Sequence, residues 1–207
     1  MTPDDIERRS FAIIDAEAGN HGHPPDRWPI VRRMIHTTAD FEYVTSVRFH
    51  PLAVSRGVSA IAAGADIITD TNMARVGIRS ALLEPFGVSV HCLMSDPRVA
   101  AVAGAEGRTR AAVAVEAALE HMADGIYVVG NAPTALLRLI ERIRSGDATP
   151  TLVIGLPVGF VNAAESKAAL AELDVPFITN VGRKGGSNVA ASVVNALALM
   201  AQEREAS

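Results

Sequence analysis

The sequence predicts an α/β fold: five mainly parallel strands in one sheet, helices on both faces, and a helical N-terminal extension. Two observations carry this. Five short apolar runs are rich in β-branched residues and bounded by Gly, Pro, Asp or Asn, the pattern of strands buried on both sides. Each is followed by a helical pattern, and strands alternating with helices make βαβ units with a parallel sheet. With 207 residues the chain is long enough for one sizeable core, so a single domain over 1–207 is expected.

The extension comes first. Thr2-Pro3-Asp4-Asp5 is a helix start, and residues up to 64 read as helices before any strand. The five strand runs are "ADIIT" (65–69), "VSVHCLM" (88–94), "GIYVVG" (125–130), "TLVIGLPV" (151–158) and "PFITNV" (176–181). Between them, Asp96-Pro97 supplies an N-cap and a proline for the first helical position. "NAPTALLRLIERIRSG" repeats Leu136, Leu137, Ile140 and Ile143 at helical spacing up to Gly146. In open parallel sheets ligands gather beyond the carboxyl ends of the strands. Here those ends are glycine- and proline-rich and carry few acid/base groups, so chemistry needs residues brought from elsewhere.

Composition narrows the function. No stretch approaches the roughly 20 apolar residues of a membrane span, and "MTPDDIERR" lacks an apolar signal region. A single cysteine, Cys92, excludes an internal disulfide and fits a reducing compartment, so a cytoplasmic protein is expected. The net charge of −4 argues against a nucleic-acid surface. Its 17 arginines against 2 lysines fit bidentate carboxylate binding, or simply a GC-rich coding bias.

Motifs for familiar cofactors fail. No GxGxxG follows the first strand and no GxxxxGK[ST] occurs. "GRKGGSN" could cradle an anion but reads more simply as a strand-to-helix turn. Cys92 reads as a small buried hydrophobe, His91 points to the opposite face without a partner in the sequence, and "HGH" (21–23) resembles half a metal site but lacks a third ligand at a telling spacing and reads rather as a flexible polar loop.

Three positions survive. Ser10 lies between Ile6 and Ile14 on an apolar helical face, either presented there or bonded back to its own helix. Arg110 opens a helix, where a cation costs about 0.3–1 kcal/mol, so it calls for an anionic partner unless solvent suffices. In "RRMIHTTADFEY" (32–43), Arg33, His36 and Asp40 follow an i, i+3, i+7 course beside the apolar stripe of Ile30, Val31, Met34 and Ile35. The residues alone leave His36 open as a structural imidazole, a metal ligand or a proton carrier.

Several strings together resemble the precorrin-8X methylmutase (precorrin isomerase) family, which includes the cobalt-precorrin-8 enzymes. They are "ERRSFAII", "RRMIHTTADFEY", "DTNMA", "HCLMSDP", "TRAAVA", "GNAPTALLRLIE", "GLPVGFVNAAESKAAL" and "VPFITNVGRKGGSNVAASVVNAL". They run in order over nearly the whole chain. "HTTADFEY" and "DTNMA…HCLMSDP" look closer to the cobalt-precorrin members.

The resemblance implies a Rossmann-like three-layer αβα fold and a homodimer binding substrate near the subunit interface. It implies an isomerase of corrin biosynthesis that moves a methyl group from C-11 to C-12 of the ring, without nucleotide, S-adenosylmethionine or protein-bound metal. The family's catalytic histidine matches His36; its substrate-contacting serine and arginines match Ser10, Arg33 and Arg110. A broad apolar ring fringed with carboxylates suits an apolar cleft with a few arginines. Two other classes compete: a non-catalytic tetrapyrrole binder or carrier, and a Rossmann-type oxidoreductase, which the missing glycine fingerprint disfavours.

Overall fold

Residues that must be buried on both sides form the centre of the sheet in the computed structural model, which describes residues 1–206. Strands β1 (Val47–Phe49), β2 (Ile67–Thr69), β3 (Val90–His91), β4 (Ile126–Val129), β5 (Leu152–Gly155) and β6 (Phe177–Asn180) lie in the order β1-β6-β5-β4-β2-β3. Every residue of β2, β4, β5 and β6 is buried, as the continuous apolar runs require.

The sheet has six strands rather than five, and it is mixed. The added strand β1 pairs antiparallel with β6, Val47 opposite Asn180, while the other pairings are parallel. Its three residues, Val-Arg-Phe, are too few to show a period of two, which is why this stretch reads as part of a helical extension. At the opposite edge, "VSVHCLM" contributes only Val90 and His91. This edge strand has one neighbour, β2. Cys92 therefore falls beyond the strand and is half-buried rather than buried.

Helices α1 (Pro3–Ala18), α2 (Trp28–Thr38) and α3 (Tyr43–Ser46) precede β1, and α4 (Ala53–Ala62) follows it. Next come α5 (Asn72–Gly77), α6 (Ser80–Leu83), α7 (Pro97–Glu106), α8 (Arg110–Ala117) and α9 (Pro133–Ser145). The last are α10 (Ala163–Ala171) and α11 (Ser187–Glu205); Leu119–His121 is a 3₁₀ turn. One apolar core gathers α2, α4 and α11 over Ile67, Ile126, Val128, Leu152, Ile154 and Ile178. A second gathers α8, α9 and Leu170 of α10 over Ile68, Tyr127, Val129, Val153 and Phe177. Alternate strand residues thus feed opposite faces, giving the three αβα layers. Among the described residues no helix is long and apolar enough to cross a membrane.

Candidate active site

The α1–α2 pair is built by caps and one buried stripe. Thr2 accepts a hydrogen bond from Asp5 N, and Asp5 accepts one from Thr2 N, closing a capping box ahead of Pro3. In α2, Ile30, Val31, Met34 and Ile35 are at most 1% exposed. Their burial turns Arg33 and His36 toward α1. Asp15 of α1 clamps the two helices, accepting from Trp28 Nε1 at 2.8 Å and Arg32 Nη1 at 2.9 Å.

Phe11 of α1 is the centre of the face so formed. The Arg32 and Arg33 guanidinium groups lie 4.3 and 4.9 Å from its ring centroid, and His36 meets it edge-on at 5.2 Å and 71°. Arg33 Nη1 donates to Glu7 Oε1 at 2.6 Å. Burial pushes the Glu7 carboxyl up, but the Arg33 hydrogen bond and the charges of Arg33, His36 and Arg79 outweigh it and hold it below the usual value. Glu7 is therefore ionised at neutral pH and fixes Arg33. His36 itself is exposed and has no hydrogen bond to any described residue. Its ring is oriented by Phe11 and both its nitrogens are available to a ligand.

Ser10 sits on α1 between Glu7 and Ile14, but its hydroxyl bonds back to Ile6 O at 2.8 Å. The apolar face expected there is only partly a core face, since Ile14 is buried while Ile6 is 53% exposed. Asp40 leaves the expected helical course because α2 ends at Thr38 and Ala39 turns left-handed, φ 53°. It pairs instead with Lys184 of the "GRKGGSN" loop, which also reaches Glu42 at 2.9 Å. Arg110 follows the N-cap Thr109 at the start of α8, in the layer across the sheet from α2. It is exposed and has no hydrogen bond or ion pair with any described residue. Within one chain, then, Ser10, Arg33 and His36 share the α1–α2 face and Arg110 stands apart.

The sheet rim holds polar residues that the sequence reading missed. Asp70, at the end of β2 and 2% exposed, accepts from the backbone N–H groups of Gly130, Asn131 and Ala132 at 2.7–2.9 Å. It thereby fixes the "GNAP" turn. Burial raises its carboxyl pKa against the lowering effect of those three donors. Lys167 in α10 is 1% exposed and donates to Asn180 Oδ1 at 3.1 Å and Lys184 O at 2.6 Å. Burial without a carboxylate partner pulls its pKa down to about 8. These bonds make "GRKGGSN" a strand-to-helix turn. At Gly185, φ 157°, a Cβ would stand 2.2 Å from Leu156 O, so only glycine fits. Beside Lys167 lies an apolar cleft of about 390 Å³, also lined by Arg48, Thr179 and Asn180.

"HGH" is anchored: His21 stacks on Trp28 at 3.7 Å, and His23 Nε2 bonds to Val44 O at 2.7 Å.

The profile of the precorrin-8X methylmutase family matches residues 5–200. The chain belongs to that family. Its methylmutases are isomerases of cobalamin biosynthesis. The cobalt-precorrin-8 methylmutase of Priestia megaterium is 46% identical over 201 residues, 97% of this chain and 89% of that one. The precorrin-8X methylmutase of Pseudomonas aeruginosa is 44% identical over 195 residues, 93% of each chain. A crystal structure of precorrin-8X methylmutase from Thermus thermophilus superposes with a TM-score of 0.91 at 49% identity, covering 97% of both chains. Methylmutases named for the cobalt-containing and cobalt-free substrates are thus almost equally similar to this chain.

Proposed function

We propose that this chain, acting as one domain over 1–207, moves a methyl group from C-11 to C-12 of precorrin-8X to give hydrogenobyrinate, or of cobalt-precorrin-8 to give cobyrinate. The observation that carries the reading at residue level is the exposed His36 imidazole, oriented by Phe11 and flanked by a guanidinium whose position Glu7 fixes. In the rearrangement the methyl–C-11 bond breaks as the methyl–C-12 bond forms. His36 gives a proton to the conjugated ring, weakening the migrating bond, and recovers it afterwards, so the protein ends unchanged. Arg33 has Nη1 on Glu7 and keeps Nη2 for a substrate carboxylate. Ser10 positions the ring once its hydroxyl turns from Ile6 O, and Arg110 takes a second carboxylate. The reaction is intramolecular and needs no cofactor.

The working unit is a homodimer with the site near the subunit interface, in the cytoplasm. Two features support this arrangement. The α1–α2 face is open, with Ile6 and Ile13 53% and 49% exposed, and Arg110 lies across the sheet from His36 within one chain. A second copy would supply both a cover and the missing arginine.

The test is incubation of the purified protein with precorrin-8X and, separately, cobalt-precorrin-8, following the absorption change as conjugation alters. Conversion of either supports the reading and identifies the substrate branch. Tight binding of both without spectral change would make the protein a tetrapyrrole carrier instead.

A further inference from the structure

Asp66, His91 and His121 bring a carboxylate oxygen and two imidazole nitrogens within 4.8 Å of one another, the only such group of three or more among the described residues. They come from separate segments: the residue before β2, the edge strand β3, and the 3₁₀ turn after α8. His91 pairs in register with Ile68, and Asp66 is two residues before Ile68, so both side chains lie on the sheet face that α8 and its following turn cover. Asp66 Oδ2 is 3.2 Å from His91 Nε2 and 3.6 Å from His121 Nδ1. The two imidazole rings stack 4.8 Å apart with 17° between their planes.

Two features set this cluster apart from an ordinary ion pair. His91 Nε2 is buried and makes no hydrogen bond, although Asp66 is close. Buried polar atoms nearly always have a partner, and this one faces an anion and another imidazole. Stacked imidazoles sharing one carboxylate would also repel each other if both were charged. As neutral rings they offer two nitrogen lone pairs beside one carboxylate oxygen, the donor set of a borderline-soft divalent metal. Glu120 Oε1 lies 3.7 Å from His121 Nε2, on the side that carries the ring proton when Nδ1 binds a metal.

We infer that Asp66, His91 and His121 bind a divalent transition-metal ion of the zinc class, which fastens the edge strand to the sheet. Rotation of the two imidazoles out of their stack would bring the three donors to the roughly 2.0–2.2 Å such an ion requires, with water as fourth ligand. The need is visible in the fold: β3 has two residues and one neighbouring strand. The ion ties it to the residue before β2 and to the turn after α8, and its role is structural.

The experiment titrates the intact, chelator-treated protein with Zn²⁺ alone and with Co²⁺ alone. Saturable binding of one ion per chain, visible d–d absorption for Co²⁺, and a Tm higher by about 5–10 °C at a hundredfold excess of Zn²⁺ over Kd are expected. His121→Gln and Asp66→Asn each weaken Zn²⁺ binding by about tenfold or more, whereas His23→Gln does not. Should these variants unfold, the imidazole NMR signals of the wild-type protein decide the matter: Zn²⁺ moves those of His91 and His121. Absence of saturable Zn²⁺ binding, affinity unchanged in both variants, or shifts confined to His21 and His23 would overturn the site.

Discussion

The α1–α2 face and the sheet rim use polar side chains in opposite ways. At the rim, Asp70 and Lys167 are at most 2% exposed, and their hydrogen bonds go to the protein's own backbone and to Asn180. They hold the "GNAP" and "GRKGGSN" turns in shape. On the α1–α2 face, the His36 imidazole is exposed with no hydrogen bond to any described residue, and Arg33 keeps donors free beside its side-chain bond to Glu7. Buried polar groups that satisfy each other stabilise a scaffold, while those left open are available for a ligand. At the rim the shifted pKa belongs to a scaffold group: Lys167 has a strongly lowered value, and its partners are a backbone carbonyl and an amide.

The largest effect should separate the two regions outright. His36→Ala is expected to lower turnover by about 10²–10⁴-fold, equivalent to about 3–5 kcal/mol in the barrier. Its unfolding free energy should move by less than about 0.5 kcal/mol, as for an exposed residue. Asp70→Ala should do the reverse, costing about 3 kcal/mol in urea unfolding by stranding two buried N–H groups and a third that is part-buried. Loss of activity in that variant should follow loss of folded protein.

Lys167→Met is expected to cost about 2 kcal/mol, because Asn180 Oδ1 loses its donor and Lys184 O keeps only Asn180 Nδ2. It also carries a pH signature. The folded pKa of Lys167 is about 8 against 10.5 for the free side chain, so burial of the charge opposes folding below pH 8. Between about 8 and 10.5 the unfolded chain binds the extra proton, and the wild-type protein gains stability as pH rises. The difference between wild type and Lys167→Met in urea midpoints should therefore widen across that window. The smallest effect is expected from Arg33→Lys, which loses the planar stack on Phe11 and the fork for a carboxylate. KM should rise about tenfold, or about 1.4 kcal/mol, with kcat changed less.

Legibility in the sequence followed the range of the interactions. The central strands β2, β4, β5 and β6 were readable because burial on both faces leaves a continuous apolar run. β1 was not, since its place depends on pairing with β6, 129–133 residues later. The pairing of Arg33 with His36 on one face followed from helical spacing, and its extension to Asp40 failed where Ala39 turns left-handed. Asp70 and the Asp66–His91–His121 group carry no local signal, because their partners lie tens of residues away in sequence. For Ser10, the reading of a hydroxyl bonded back to its own helix is the one the structure displays.

The most direct test of the central claim, that His36 moves the proton, is single-turnover mixing of precorrin-8X with excess wild-type protein and excess His36→Asn, which resolves binding from chemistry. The account predicts that both proteins bind the substrate with similar affinity and that only the wild type converts it at a measurable rate. Conversion by His36→Asn at a rate near that of the wild type would contradict it.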